Sequence, residues 1–144
     1  MTDRNDRPRP PVTSTSIVVL ALARRIENEL GAALAPLDLT VGRLGLLGHI
    51  AGVPGVSFSE LARMSGTTVQ SVHGAVKALV GAGLVRDLNA RPGSASTIEL
   101  TPEGTRLLDQ ARQAIAEVDE RLFGEAADPV QQRLGAAVRA AFLS

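Results

Sequence analysis

The chain has 144 residues but no cysteine, tryptophan or tyrosine, and it contains only three phenylalanines. The absence of cysteine excludes disulfides, thiol redox sensing and cysteine-based zinc sites. The scarcity of aromatic rings leaves no evident platform on which the bases of RNA or single-stranded DNA could stack. Apolar residues nevertheless make up 44% of the chain, which is enough to build the core of one domain from Leu, Val, Ile and Ala.

The sequence also lacks a secretory signal and any run of about 18 apolar residues that could span a membrane. We therefore predict a cytoplasmic protein without membrane contact. Residues 1–13 are polar and rich in proline, a composition typical of a disordered tail. The remaining residues, 14–144, are predicted to form a single domain.

Motifs for catalysis and metal binding are missing as well. The sequence contains no H-E-x-x-H motif, no nucleophile elbow and no glycine-rich phosphate loop. Its two histidines, His49 and His73, fall on different predicted helices, and neither belongs to a cluster of metal ligands. We expect a protein that is not an enzyme and that binds no metal or cofactor.

The chain has no net charge, since 15 basic residues balance 15 acidic ones. The charge is unevenly distributed: residues 57–101 contain four basic and three acidic residues, whereas residues 102–144 contain five and seven. Non-specific affinity for DNA comes from neutralisation of phosphates and release of counterions. If residues 57–101 contact DNA, we expect that non-specific affinity to be modest.

Residues 57–101 show the local signals of two short helices followed by a β-hairpin. Ser57 with Glu60 forms the S-x-x-E pattern of a capping box, and Thr67 with Gln70 repeats it as T-x-x-Q ten residues later. Gly83 lies where a left-handed C-terminal cap is expected. Apolar and polar residues then alternate over residues 84–88 and 97–100, with residues 89–94 as the connecting loop.

Each of these two helices has apolar residues at a spacing of three or four, which can face a core. Two short helices around a turn, followed by two strands, are the outline of a winged helix-turn-helix, which places its second helix in the major groove of DNA. The predicted fold is therefore mainly α with a small β-hairpin wing. The predicted core residues are Phe58, Leu61 and Met64 in the first helix and Val69, Val72, Val76 and Leu79 in the second.

The second helix carries polar side chains opposite its valines. Glutamine can bond adenine through two hydrogen bonds, and serine or threonine can bond bases or phosphates. A helix N-terminus also favours a phosphate oxygen. The alternative is the solvated face of an ordinary surface helix, but the helix-turn-helix and hairpin around it favour DNA. The predicted DNA contacts are Arg63, Thr67, Thr68, Gln70, Ser71, His73, Lys77, Arg91 and Ser94.

Long helices are predicted on both sides of this motif. Ser14 or Ser16 can cap a first helix that runs to about residue 34, and Thr40 can cap a second. Thr101 and Asp128, each followed by proline, begin the two helices after the hairpin.

The first and last helices carry apolar residues at every fourth position, which the DNA-binding module is too small to cover. Either these helices form a packing layer within the chain, or they interlock with those of a second copy. We predict a homodimer in which residues 14–36 and 102–144 supply the dimerisation helices and residues 40–101 form the DNA-binding lobe. The predicted interface residues are Val18, Leu22, Ile26, Leu30, Val130, Leu134, Val138 and Phe142.

The order of these elements, with the motifs S-x-x-E-L-A, V-x-x-x-V-K-x-L-V-x-x-G-L-V and L-T-P-E-G, resembles the MarR family of bacterial transcriptional regulators. The resemblance covers roughly residues 16–144. It implies a homodimer with two winged lobes that binds a palindromic operator in double-stranded DNA. It also implies that a small aromatic or phenolic ligand, held between the dimerisation region and the lobe, often releases the DNA.

A ligand pocket is predicted where the first two helices and the helix of residues 102–123 approach the winged lobe. Its candidate wall consists of Leu44, Leu47, His49 and Leu107. Such a wall suits a small, flat, mostly apolar or weakly acidic effector. The same residues would serve equally as ordinary core.

Two regions depart from the family pattern. Where the family wing usually carries D-x-R, this chain has Pro92 and Ser94, so Arg91 is the basic residue that could replace the family arginine in the minor groove. The second helix has Gly74 where the family often has a basic or polar side chain, which either allows close approach to DNA or marks a face no longer used for reading. These departures support an alternative function, a dimeric ligand-binding or interaction module with weakened or lost DNA binding.

Overall fold

A computed structural model describes residues 14–88 and 97–143, which form six α-helices and a two-stranded antiparallel hairpin. The predicted tail at residues 1–13 and the predicted wing contacts Arg91 and Ser94 lie outside the described residues. A short 3-10 helix, Ala35–Leu37, follows the first helix. The elements are α1 (Thr15–Leu34), α2 (Val41–Gly52), α3 (Phe58–Ser65), α4 (Val69–Gly81), β1 (Val85–Asp87), β2 (Ile98–Leu100), α5 (Pro102–Phe123) and α6 (Pro129–Phe142).

The helices begin at side chains that accept hydrogen bonds from otherwise unpaired backbone N–H groups. Ser14 rather than Ser16 caps α1, and Thr101 caps α5 as predicted. Ser57 and Glu60 form the predicted capping box at α3: each side chain accepts a hydrogen bond from the backbone N–H of the other at 3.1 Å. These starts depend on residues only three positions apart, so the sequence predicts them well.

The turn between α3 and α4 differs by one residue from the prediction that Thr67 caps α4. Gly66 ends α3 with a φ of 63°, and the Thr67 N–H donates to the Ala62 carbonyl at 3.0 Å. Thr67 is therefore the last residue of the turn that closes α3. Thr68 takes the N-cap position instead and accepts from the Ser71 N–H at 3.1 Å.

The core lies where the C-terminal end of α1 meets α2, α3, α4, the hairpin and α5. Met64 and Val69 were wrongly predicted to face it, since they are 37% and 42% exposed. Both adjoin the exposed turn at residues 66–68, where the helical periodicity continues beyond the edge of the core. The central buried side chains are Leu34, Leu47, Ile50, Val56, Leu61, Val72, Val76, Leu79 and Ile98.

The L-T-P-E-G motif joins the hairpin to α5 through several short contacts. The Thr101 hydroxyl donates to the Gly83 carbonyl at 2.6 Å and accepts from the Gly104 N–H at 3.1 Å. The Thr101 N–H donates to the Leu84 carbonyl at 3.0 Å. Gly104 is buried, and a Cβ atom at this position would collide with the Leu84 carbonyl. The glycine of the motif thus allows α5 to pack directly against the chain between α4 and β1.

The hairpin pairs β1 with β2 in antiparallel register, with Val85 opposite Leu100 and Arg86 opposite Glu99. Its strands are shorter than the predicted segments 84–88 and 97–100. Gly83 has a φ of 75°, which confirms the left-handed cap predicted after α4. This cap turns the chain from α4 into the wing within a few residues.

Two helices at the chain ends pack onto α5. Glu29 of α1 accepts a hydrogen bond from the Arg121 guanidinium of α5 at 2.7 Å. In α6, Gly135 lies so close to α5 that an added Cβ would be 2.9 Å from the Phe123 Cβ. Unlike the central helices, α6 contains no buried residue.

Over residues 14–88 and 97–143, no single helix is long and apolar enough to cross a membrane. Only the combination of Thr15–Leu37 with Val41–Gly52, bent by 74°, reaches that length and composition. Within the same ranges, no group of three or more histidine, aspartate or glutamate side chains could hold a metal ion.

Candidate nucleic-acid interface

Helix α4 presents one face to the core and the opposite face to solvent. Val72 and Val76 are buried, whereas Gln70, Gly74 and Lys77 are all exposed. Residues spaced by three and four positions lie on the same face of an α-helix, so the three exposed residues form one stripe. We call Gln70, Gly74 and Lys77 the α4 stripe. Over the described parts of the chain, neither the Gln70 nor the Lys77 side chain has a hydrogen-bond or ion-pair partner.

The N-terminus of α4 is held by two hydroxyl side chains. The Thr68 hydroxyl donates to the Ser71 Oγ at 2.9 Å, while it accepts from the Ser71 N–H at 3.1 Å. Because Ser71 is the acceptor in the hydroxyl pair, its own hydrogen stays free to donate outward. Thr67 and Thr68 are also exposed beside it. The predicted polar contacts at the start of α4 are therefore brought together on one surface.

Three basic residues of the lobe differ in their electrostatic environment. The Arg86 guanidinium of β1 donates to the Glu99 carboxylate of β2 at 3.0 Å, so its charge is balanced by a cross-strand partner. Arg63, in the last turn of α3, and Lys77 of the α4 stripe are exposed and form no ion pair within the residues the structure describes. Of these three residues, the two in the helix-turn-helix therefore keep an unbalanced positive charge, whereas the one at the base of the wing does not.

His73 does not lie on the α4 stripe but on the flank of the helix that faces α3. Its ring stacks on the Phe58 ring with centroids 3.8 Å apart and an angle of 18° between the planes. The two rings border a cleft of about 410 Å³ that Val80 and Lys77 also line. The stacking contact holds the imidazole against α3, at the edge of the candidate DNA surface.

The predicted dimer residues divide into two groups by exposure. In α1, Val18 is 49% exposed while Leu22, Ile26 and Leu30 are half-buried. In α6 all four predicted residues are exposed, from 38% for Leu134 to 81% for Phe142. Ile17, Val19 and Leu20 were not predicted as interface residues, but they are about half exposed and widen the apolar end of α1.

The four predicted pocket residues lie around α2 and α5. Leu47 is fully buried in the core, and Leu44 and Leu107 pack half-buried against it. His49 is half-buried in the last turn of α2. A surface cleft of about 380 Å³ opens nearby between α2, β2 and α5, but none of these four residues lines it. The cleft is bordered by Ile50, Pro54, Glu99, Thr105, Leu108 and Arg112.

The arrangement of two capped helices, a wing and flanking helices recurs in known proteins. The MarR family model matches residues 37–91. The chain is 33% identical over 112 residues to the HTH-type transcriptional repressor Rv2887 of Mycobacterium tuberculosis, and the alignment covers 74% of this chain and 78% of that protein. The chain belongs to the MarR family. It is thus a DNA-binding transcriptional regulator, which confirms the resemblance noted in the sequence.

Solved structures agree with this assignment. The crystal structure of Rv2887 matches at a TM-score of 0.72 and 26% identity, covering 90% of this chain and 94% of that one. The reduced form of MarR from E. coli matches at a TM-score of 0.77, covering 92% and 99%, but at 17% identity it shows the common fold alone. The predicted winged helix-turn-helix with flanking helices is confirmed by these matches.

Two contacts that shape the candidate interface of this MarR-family chain were not predicted from the sequence. Phe58 was predicted as plain core, yet it is the stacking partner of His73. Arg86 was counted as a basic residue of the lobe, yet Glu99 balances its charge. A hairpin with known register would have placed Arg86 opposite Glu99, but no local signal connects Phe58 to a residue fifteen positions away.

Proposed function

We propose that this MarR-family protein is a homodimeric repressor that inserts α4 of each copy into the major groove of a palindromic operator. The observation that carries the proposal is the exposed α4 stripe, which lies opposite the buried valines that fix the helix to its lobe. Repression is supported by the relative Rv2887, a transcriptional repressor that has also been solved in complex with DNA. The proposed site of action is the cytoplasm, and the proposal gives the chain no catalytic step.

Within this interface we assign base reading to Gln70 and Ser71. The Gln70 amide can donate to and accept from one adenine, and the free hydrogen of Ser71 can donate to a base. Arg63 and Lys77 are exposed without an ion-pair partner among the described residues, and we assign them to phosphate oxygens. The proposed contacts at the margin of the interface are Thr67, Thr68, His73, Arg91 and Ser94, of which the last two lie outside the described residues.

The proposed dimer buries the apolar faces of α1 and α6. Large exposed apolar patches mark interaction sites in folded proteins. A two-fold dimer contacts itself through the same surface on both copies and presents two α4 helices to half-sites roughly 34–36 Å apart. The proposed contacts are Val18, Leu22, Ile26 and Leu30 of α1 with Val130, Leu134, Val138 and Phe142 of α6.

The proposed function is tested by selecting bound sequences from a random DNA library and measuring their affinity from about 50 to 200 mM salt. We expect a palindromic consensus bound at least about 10³-fold more tightly than random DNA. Reporter expression from a promoter carrying that consensus should fall when the protein is present. A selection that yields no enriched sequence would instead support the dimeric ligand-binding or interaction module.

Replacing Gln70 with alanine should lower affinity for the selected operator by about 1–3 kcal/mol and relax the preference at one base pair. Replacing Lys77 with alanine should weaken binding to operator and random DNA alike and make the salt dependence shallower. Fluorescence anisotropy on both DNAs measures the two effects. Gln113→Ala, on the exposed surface of α5, removes the same side chain elsewhere and should leave binding unchanged. Unchanged operator affinity in Gln70→Ala would contradict the base-reading assignment.

We further propose that a small aromatic or apolar acid weakens operator binding. Rv2887 has been solved with salicylic acid and with p-aminosalicylic acid, and Leu44, His49 and Leu107 of the predicted pocket wall are only half-buried. A ligand changes DNA affinity only if it binds the DNA-competent and incompetent arrangements differently. We expect saturating salicylate to raise the melting temperature and to weaken operator binding about 5- to 150-fold. A protein whose melting and DNA affinity ignore salicylate and related acids would be a constitutive repressor.

A further inference from the structure

We infer that Gly74 is a close-approach residue, at which the absence of a side chain lets the backbone of α4 lie against the floor of the DNA groove. The inference rests on the proposed DNA-binding function and deepens it. It assigns a part of operator affinity and specificity to a position that offers no hydrogen-bonding side chain.

Among the residues that the structure describes, none requires glycine at this position. Gly74 is exposed and lies in the interior of α4, and a Cβ atom built on it meets no heavy atom within 4 Å. Its φ is not positive, so the backbone conformation is open to any residue. Glycine in a helix interior is among the least favourable residues because it loses the most backbone freedom on folding. Glycine at position 74 therefore lowers the stability of α4, and no contact among the described residues offsets this loss.

Three other glycines in or next to the lobe have an evident structural reason. Gly66 and Gly83 have positive φ values that end helices, and Gly104 gives room to the Leu84 carbonyl. Gly74 shares neither property, and neither does Gly45 of α2, so what sets Gly74 apart is its place on the α4 stripe. An external partner that approaches the helix closely is a reason that fits its exposure.

The position of Gly74 on the α4 stripe points to DNA as this external partner. It lies one turn after Gln70 and nearly one turn before Lys77, at the middle of the face proposed to enter the major groove. A side chain at the middle of such a face would hold the helix axis away from the base edges. Without one, Gln70 and Lys77 can reach bases and phosphates on either side, and the backbone at Gly74 can contact an apolar group such as a thymine methyl.

The test is a series of substitutions of increasing size, Gly74→Ala and Gly74→Leu, with Gly45→Ala as the matched control. Gly45 is an exposed glycine in the interior of α2 and also has no heavy atom within 4 Å of an added Cβ. Each alanine variant should raise the melting temperature by about 2–4 °C at equal protein concentration, because alanine is the better helix former. The control should bind operator like the unmodified protein.

Gly74→Ala should weaken operator binding about tenfold or more, because the added methyl group would be overpacked against the DNA. Gly74→Leu should weaken it further, while binding to random DNA should change less because that binding depends on phosphates. Operator affinities equal to that of Gly45→Ala would overturn the inference. Equal losses for alanine and leucine would also overturn it, since they would indicate a need for helix flexibility rather than space. If the unmodified protein selects no operator, the proposed function itself fails before this inference is reached.

Discussion

Replacing Val138 with aspartate should convert the protein from a dimer to a monomer and lower its affinity for a two-half-site operator by at least about 10²-fold. Val138 is 48% exposed on α6, so the change should leave the fold of the single chain intact. In the proposed dimer the carboxylate would be buried without a partner, which is unfavourable. A monomer also loses the high effective concentration of the second lobe after the first has bound.

Light scattering at micromolar concentration and operator titration measure these two effects. Ala140→Asp is the matched control, because Ala140 is exposed on α6 but does not lie in the row that contains Val138. The control adds the same charge and should leave both dimer mass and affinity unchanged. If Val138→Asp remains a dimer, the contact proposed for α6 is wrong.

Replacing Gly104 with alanine is expected to lower the free energy of unfolding by about 1–3 kcal/mol. The added Cβ would collide with the Leu84 carbonyl, which is a backbone atom and already accepts a hydrogen bond from the Thr101 N–H. Relief requires α5 to move away from the chain between α4 and β1. Urea denaturation at one fixed protein concentration, followed by circular dichroism, measures the change.

Gly45→Ala serves again as the comparison for this second effect. With no atom near the added Cβ, it should stabilise the protein by up to about 1 kcal/mol. Both substitutions replace a glycine in a helix with alanine, but they should change the free energy of unfolding in opposite directions. Equal stability of Gly104→Ala and Gly45→Ala would show that α5 is not held in close contact with Leu84.

The proposed interface reconciles DNA binding with a chain that has no net charge. Arg63 and Lys77 stand near the helix-turn-helix without a partner in the described residues, whereas Arg86 is balanced by Glu99. An exposed ion pair of this kind contributes at most about 1 kcal/mol to stability, but it reduces the positive charge that the wing base offers to phosphates. We therefore expect a shallow salt dependence and a specificity that relies mainly on the fit of α4.

The sequence by itself determined the elements that depend on near neighbours. Three features involve groups only a few residues apart and can therefore be predicted from the sequence. They are the capping box of Ser57 and Glu60, the cap at Thr101 and the left-handed glycine Gly83. The polar face of α4 follows from helical periodicity in the same way. The ordered set of these signals was sufficient to predict the MarR family.

Only the tertiary structure decided where the helical periodicity stops facing the core. Met64 and Val69 continue the apolar pattern but lie beyond the edge of the core, because packing ends at the exposed turn. Which of two adjacent threonines caps α4 was likewise settled by how α3 closes through the Thr67 N–H. These outcomes depend on the arrangement of whole helices, which a residue's near neighbours do not encode.

Gly74 and Gly104 show most clearly the difference between what the sequence determines and what the tertiary structure decides. In the sequence, Gly74 and Gly104 both lie in predicted helices, where glycine has a low propensity. In the fold, Gly104 lies against the Leu84 carbonyl, twenty residues earlier in the chain, whereas no atom of residues 14–88 or 97–143 lies within 4 Å of a Cβ added at Gly74. Helix propensity is a property of the local backbone and can be read from the sequence. Whether the lack of a side chain permits a close contact depends on which groups approach the glycine in the tertiary structure.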